Sequence, residues 1–254
     1  MNWRSVKVQI NLFLAALAAY LILRDPSVKL LAAFAWAVFF TVLTEGSVLF
    51  LKTKKFQITA SAITSGWIIG FVLSAGSPWW MFFAAAALTI GSKHLLRFRG
   101  KNLLNPAACG LFLTVLLLKG YTEWKGAYVW YLLIPAGLYL VHKIRKMEIV
   151  IGYFVMSILL FVPLALIRGS SLADIPGYFN YFFIFIMLIE PKTTPPTFWP
   201  KVAFGAGTAV LVFLLTEWGF RYEPELFALL AMNALVPWIN KIPDFQLKTV
   251  IKNS

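Results

Sequence analysis

Ten apolar stretches follow one another along this chain, and no polar stretch between them is long enough to build a soluble domain. Their approximate limits are 6–23, 30–51, 58–75, 78–92, 105–118, 126–142, 149–167, 177–190, 201–217 and 225–239. Backbone polar groups in lipid must be satisfied inside the spanning element, so such stretches form membrane helices. Composition agrees, with 60% of residues hydrophobic and 13% charged, against about 25% charged in soluble domains. The expectation is one all-α polytopic membrane domain over residues 1–254, with about ten transmembrane helices. A span usually needs about 20 residues. Segments four, five, eight and ten fall short, so some of them should be broken. Arg4 and Lys7 precede the first segment, and no small-residue cleavage pattern follows at Tyr20 to Pro26. That segment is expected to be retained as a span.

Alternating the loops between two sides sorts the basic residues. One side collects 17 of the 23, including Arg4, Lys7, Lys54, Lys93, Arg99, Lys101, Lys146, Lys192, Lys248 and Lys252. The other collects Arg24, Lys29, Lys119, Lys125, Arg168 and Arg221. The positive-inside rule then places both termini in the cytoplasm. This bias accounts for the net charge of +13. Nucleic acid is not an expected partner, because the basic residues lie in short loops beside the lipid bilayer. The single Cys109 excludes an internal disulfide, a CxxC pair and a cysteine-held cluster. His94 and His142 are too few for a haem pair or a metal site. No metal is expected, and a redox role falls to an organic cofactor. Phosphate-cradling, dinucleotide-binding, HExxH and GxSxG patterns do not occur.

Ten spans divide into halves of five, about 1–120 and 121–254, and an odd number per half makes the repeats inverted. Their interruptions correspond. Segment three holds Ser61, Thr64, Ser65 and Gly66, and segment eight ends in Glu190-Pro191-Lys192-Thr193-Thr194-Pro195-Pro196-Thr197. Segment five opens with Asn105-Pro106, and segment ten carries Asn233 and Pro237. Matching interruptions in two halves point to a site near the midplane. Asn102 and Asn105 share a face if the chain is helical there, and together offer amide donors and acceptors. Asn105 before Pro106 also reads as a helix cap, and the two roles are compatible. Glu45 lies inside segment two, which makes it an ion- or proton-path candidate or a partner of Lys52, Lys54 or Lys55. Glu190, beside Pro191 and Lys192, is either on such a path or at a solvated helix end. Trp67 beside Ser65 either stacks on a planar ligand or packs between helices.

Three runs carry a family resemblance. Ser92 to Ala108 resembles the KH…GKN…NPA signature of membrane subunits of bacterial flavin-dependent ion pumps. These are the D-type membrane subunit of the Rnf complex and the B-type membrane subunit of the sodium-pumping NADH:quinone reductase. Phe185 to Thr197, followed by Val202 to Leu211, is similar to the family's FMATDPVTSPxT…FGAG stretch. Ala231 to Asn240 is similar to LMNxxxPLID, with Asn240 in place of the aspartate. Leu43-Thr44-Glu45 and Ile63-Thr64-Ser65-Gly66 fit weaker features. The matches run in order from segment two to segment ten.

The resemblance implies ten helices in an inverted repeat similar to urea channels. It also implies a flavin cofactor, riboflavin or FMN. The asparagines that contact riboflavin in the reductase's membrane protein correspond to Asn102 and Asn105. Lys101, Thr64, Ser65, Thr193 and Thr194 stand in the same motif runs and complete the cofactor-binding candidates. Family members also carry FMN on the threonine of an SGAT motif between segments five and six. No SGAT occurs here, the connection from Lys119 to Gly126 is short, and Thr122 stands in Tyr-Thr-Glu. The flavin is therefore expected to be non-covalent. The implied role is electron transfer within a redox complex of the prokaryotic cytoplasmic membrane, a role to which ion transport can be coupled. Its partners would be other membrane and peripheral redox subunits, or a quinone. A urea-channel-like solute channel or vitamin transporter that lost the electron path is the alternative. A structural subunit without ligand is a third.

Overall fold

Side-chain caps start three of the helices. The computed structural model describes residues 6–98, 100–169, 171, 176, 177 and 179–243. Arg4, Arg99, Lys248 and Lys252, counted in the charge asymmetry, lie outside them. Helix α1 (Val6–Arg24) is followed by α2 (Val28–Thr53), whose Ser27 hydroxyl accepts from the Leu30 N–H. Helix α3 (Ala60–Val72) is capped by Thr59 through the Ala62 N–H. After α4 (Trp79–Leu95) a two-residue-per-strand hairpin, β1 (Arg97–Phe98) and β2 (Lys101–Asn102), leads to α5 (Pro106–Leu118). Asn105 caps α5 through the Ala108 N–H, with Pro106 in the first helical turn. A 3₁₀ turn (Lys125–Val129) opens α6 (Trp130–Lys143), and α7 (Met147–Ile167) follows. A π-helical turn (Phe183–Met187), α8 (Phe198–Glu217) and α9 (Pro224–Ile239) complete the order.

Four of these helices, α1, α2, α7 and α8, are long and apolar enough to cross a bilayer. The protein is an all-α polytopic membrane protein. Among the described residues, nine α-helices and the π turn lie where ten apolar segments were expected, but two expectations on length change. Segment three is shorter than expected, since α3 has 13 residues. At about 1.5 Å rise per residue it reaches roughly 20 Å, against about 30 Å of hydrocarbon. Segment four is longer, because Lys93 and His94 continue α4.

The early end of α3 is met by protein groups. Leu73 turns extended and pairs with Thr122 in an isolated antiparallel bridge. Glu123 N–H donates to Val72 O at 2.8 Å, and Ser74 N–H to Tyr121 O at 2.9 Å. The Lys125 ammonium donates to Gly70 O at 3.0 Å and also to Leu73 O. A cation thus sits on the negative end of the α3 dipole. Non-helical backbone is tolerated in such a protein where other protein groups bury it.

Segment eight is the counterpart break. Its core run Phe183-Ile184-Phe185-Ile186-Met187 is buried on every side, as an all-round apolar element must be. Asn180 starts it by accepting from the Phe183 N–H at 3.0 Å. The Leu188 N–H reaches back five residues to Phe183 O at 2.9 Å. Such π turns recur at functional sites.

The same neighbours recur in the two halves. In the first, α2 packs on α3 and α4, α4 on α5, and α1 on α3. In the second, α7 packs on the π turn and α8, α8 on α9, and α6 on the π turn. Across the halves α1 meets α6 and α5 meets α9, each an element and its counterpart. Contacts of that kind are expected near a pseudo-two-fold axis. Lipid is as apolar as leucine, so close backbone approach has to hold the helices together. Helices α7 and α8 achieve it reciprocally. A Cβ on Gly205 would lie 2.1 Å from Ile149 O, and one on Gly152 would lie 2.6 Å from Val202 O.

Candidate functional site

Two asparagines from opposite halves tie the broken elements together. Asn233 is buried in α9, and its Oδ1 accepts the Asn105 N–H at 2.8 Å. Its Nδ2 donates to Thr193 O at 3.1 Å. Asn105, also buried, accepts from the Ala108 N–H and donates from Nδ2 to Met187 O at 3.2 Å. The two amides therefore join the start of α5, the end of the π turn, the chain after it, and α9. An unpaired amide at this depth is expensive, which is why each is engaged.

A cavity lies on either side of this link. The smaller, about 370 Å³, is bounded by the starts of α1, α3 and α5, the end of α6, and the π turn. Ser61, Thr64, Ser65, Asn105 and Glu190 line it, with Lys7 and Lys192. Ile68 and Phe185 are among its apolar walls. The Thr64 hydroxyl lies 2.8 Å from both Asn11 Oδ1 and Ala60 O. One turn further along α3 from Ile68, Phe71 meets Phe182 with ring centroids 4.9 Å apart.

The larger cavity, about 810 Å³, lies between the hairpin, the chain after Pro191 and the end of α9. Lys101, Asn102, Thr193, Asn233, Pro237, Trp238, Asn240 and Lys241 line it, with Phe98 and Lys192. The hairpin that presents Asn102 turns at Gly100, whose φ of 79° is left-handed and suits glycine. Arg97 braces the turn by donating to Gly100 O at 2.7 Å. Both cavities fall within the usual range for small-molecule sites.

The candidate residues are thus divided. Asn102 and Asn105 do not share a helical face, because the chain between them leaves a strand and enters a cap. Lys101, Asn102 and Thr193 face the larger cavity, and Thr64, Ser65, Asn105 and Glu190 the smaller. Thr194 lines neither, and its hydroxyl donates to Glu190 O at 2.8 Å. Trp67 packs on Phe34 at 5.9 Å. Glu45 does not pair with Lys52, Lys54 or Lys55. Its carboxylate takes Lys93 Nζ at 2.6 and 2.8 Å, and Lys93 also donates to Ser61 Oγ at 3.2 Å. The partner lies on α4 because that helix runs on past its expected end. No group of three or more possible metal-ligating side chains forms among the described residues.

Two residues of the site escaped the sequence reading as site residues. Asn233 was visible as an amide inside an apolar run, which at this depth requires a partner. Lys146 was counted only as a loop charge. It is buried, with Nζ 2.6 Å from Pro195 O, beneath the stretch that carries Thr193.

Short helices, a π turn and two cavities thus lie where the apolar segments are interrupted. The chain belongs to the NQR2, RnfD, RnfE family, whose profile matches residues 2–132 and 122–246. It is similar to the D-type subunit of the ion-translocating oxidoreductase complex of Stutzerimonas stutzeri, 40% identical over 53 residues. The corresponding protein of Rhodobacter capsulatus is 38% identical over 55 residues. Each alignment covers 21% of this chain and 15% of the relative's length.

Proposed function

We propose that the chain is an electron-transfer subunit of an ion-translocating oxidoreductase complex, holding a non-covalent flavin, riboflavin or FMN, in the larger cavity. One observation carries this reading. Three motif runs far apart in sequence, at Lys101–Asn102, at Thr193 and at Asn233–Asn240, converge on that cavity. Its residues suit a flavin. Trp238 and Phe98 offer aromatic faces, and the Asn102 and Asn240 amides both donate and accept. Among the described residues the Asn102 amide has no protein partner, unlike that of Asn105. Bound there, a flavin supplies the electron chemistry that the side chains lack. Asn102 would hold the ring edge, while the Asn105–Asn233 link fixes the walls. Thr122 donates to Glu223 in another part of the fold, which supports a flavin not attached to it.

The protein works, on this reading, in the prokaryotic cytoplasmic membrane with both termini inside, among membrane and peripheral redox subunits or against a quinone. Glu190 is the acid better placed for an ion or proton path, since Lys93 engages Glu45. A solute channel, the alternative, would use the smaller cavity.

The test is the colour of the purified chain. Flavin absorbance is expected, with no fluorescent band on a denaturing gel. Removing one partner of a buried hydrogen bond costs about 1–3 kcal/mol, so Asn102→Leu should weaken flavin binding roughly ten- to a hundredfold. A colourless chain that takes up no added flavin but conducts solute would give the channel reading precedence.

A further inference from the structure

The last carbonyls of a helix have no partners inside it, and those at the end of α3 are met in an unusual way. The Ser74 N–H, which would continue the helix onto Gly70 O, goes to Tyr121 O instead. Gly70 O and Leu73 O then share one donor, the Lys125 ammonium. The Glu123 carboxylate lies 3.2 Å from the same nitrogen. That carboxylate is held in place, because Ser74 Oγ donates to it at 3.1 Å and the Ala75 N–H at 2.8 Å. Two carbonyls and one carboxylate, from two separate stretches, thus converge on one positive charge. The ammonium has three donors for these three oxygens. The Lys125 side chain is 6% exposed, whereas that of Glu123 is 42% exposed and opens the group to solvent. The α3 helix and the π turn packed nearby carry no charge of their own. Glu223 takes the Thr122 hydroxyl and the Trp124 Nε1–H.

We propose that the end of α3 is a site for a small monovalent cation, of potassium or ammonium type, and that Lys125 fills it with a cation tethered to the chain. Carbonyls freed where a membrane helix breaks are a ligand set that such ions take, and a lysine ammonium is a compact point charge of the same kind. The ligands fix the class. One carboxylate with two neutral carbonyls balances one positive charge, and hard divalent ions demand about six or more oxygens. In the native protein the site takes no free ion. Removing the amine leaves the same three oxygens open to dissolved cations, which reach them past Glu123.

The experiment compares the full native chain with Lys125→Met in detergent, in choline, potassium and ammonium chloride at matched ionic strength. Choline is too large for the site and serves as the reference. In choline the variant should melt below the native chain, since three buried or half-buried oxygens lose their partner. Potassium or ammonium should raise its melting temperature along a saturating curve, by roughly 2–4 °C or more. The native chain should show no such rise. Glu123→Gln/Lys125→Met should need a roughly tenfold higher concentration of the same ions. A variant that folds only with potassium or ammonium shows the dependence in its strongest form. If Lys125→Met folds in none of the salts, Lys125→Gln, which keeps a donor without the charge, carries the same comparison. Equal melting temperatures of the folded variant in all three salts overturn the cation site, as does failure of both variants in every salt. An equal rise in the native chain overturns the tethering, because a filled site cannot respond.

Discussion

Glu45 and Lys93 are 48 residues apart and form a buried ion pair, with side-chain exposures of 4% and 12%. Breaking such a pair from one side leaves a charge without a partner and costs about 3–5 kcal/mol. Glu45→Gln should therefore lower the melting temperature of the full chain sharply. Adding Lys93→Met should recover most of the loss, because the pair and its desolvation penalty disappear together. Equal damage in the single and double variants would show that the ion pair does not set stability. Lys146 gives a pH signature. Its ammonium titrates near 8 when folded, against about 10.4 for a free lysine. Between those values the unfolded chain binds the extra proton, so stability rises with pH. Below about pH 8 the cost of the buried charge is fully present and constant. The melting temperature of the native chain, relative to Lys146→Met, should climb from pH 8 to pH 10. A flat difference across that range would contradict the burial of a charged amine.

The elements that shape the site are the short ones. Helix α3 ends early against Leu73, Glu123 and Lys125, and the π turn ends against Asn105. Long helices brace them, and α7 with α8 is the tightest brace. Gly205 faces backbone atoms of α7, which cannot move aside as a flexible side-chain end can. Gly205→Val should force the two helices apart, a core overpacking worth about 1–3 kcal/mol or more. Lower yield of folded protein on size exclusion, with a reduced melting temperature, is the expected result. Gly219→Val, where a Cβ meets open space but φ is 67°, separates backbone strain from helix spacing. It should be milder, and a larger loss there than at Gly205 would refute the close-packing account.

For the whole molecule, charge gives an expected orientation. Lys7, Lys93 and Lys192 lie close enough to act on one another, as do Lys101, Lys146 and Lys201. These are residues that the loop alternation placed together. Reporter fusions at Lys54, Lys101 and Lys146 should all read as cytoplasmic, and a periplasmic signal at any one would invert or break the topology. Both cavities lie among these same residues. On the proposed reading, a flavin held in the larger cavity would face the side where peripheral redox partners dock.

Local signals determined what the sequence could determine alone. Apolar run length fixed the membrane class, and Asn105-Pro106 announced the cap that starts α5. Pro191, Pro195 and Pro196 marked the non-helical chain after segment eight. Each of these depends on residues within a turn or two of one another. The tertiary structure decided the rest. It separated Asn102 from Asn105 onto two cavities, gave Glu45 its partner on α4, and placed Asn233 against the start of α5, 128 residues away. Lys125 became the cap of a helix that ends more than fifty residues earlier in the chain. Such pairings arise because short helices leave backbone and amide groups that lipid cannot satisfy. Which distant side chain satisfies them depends on how the halves pack, and no local pattern encodes that.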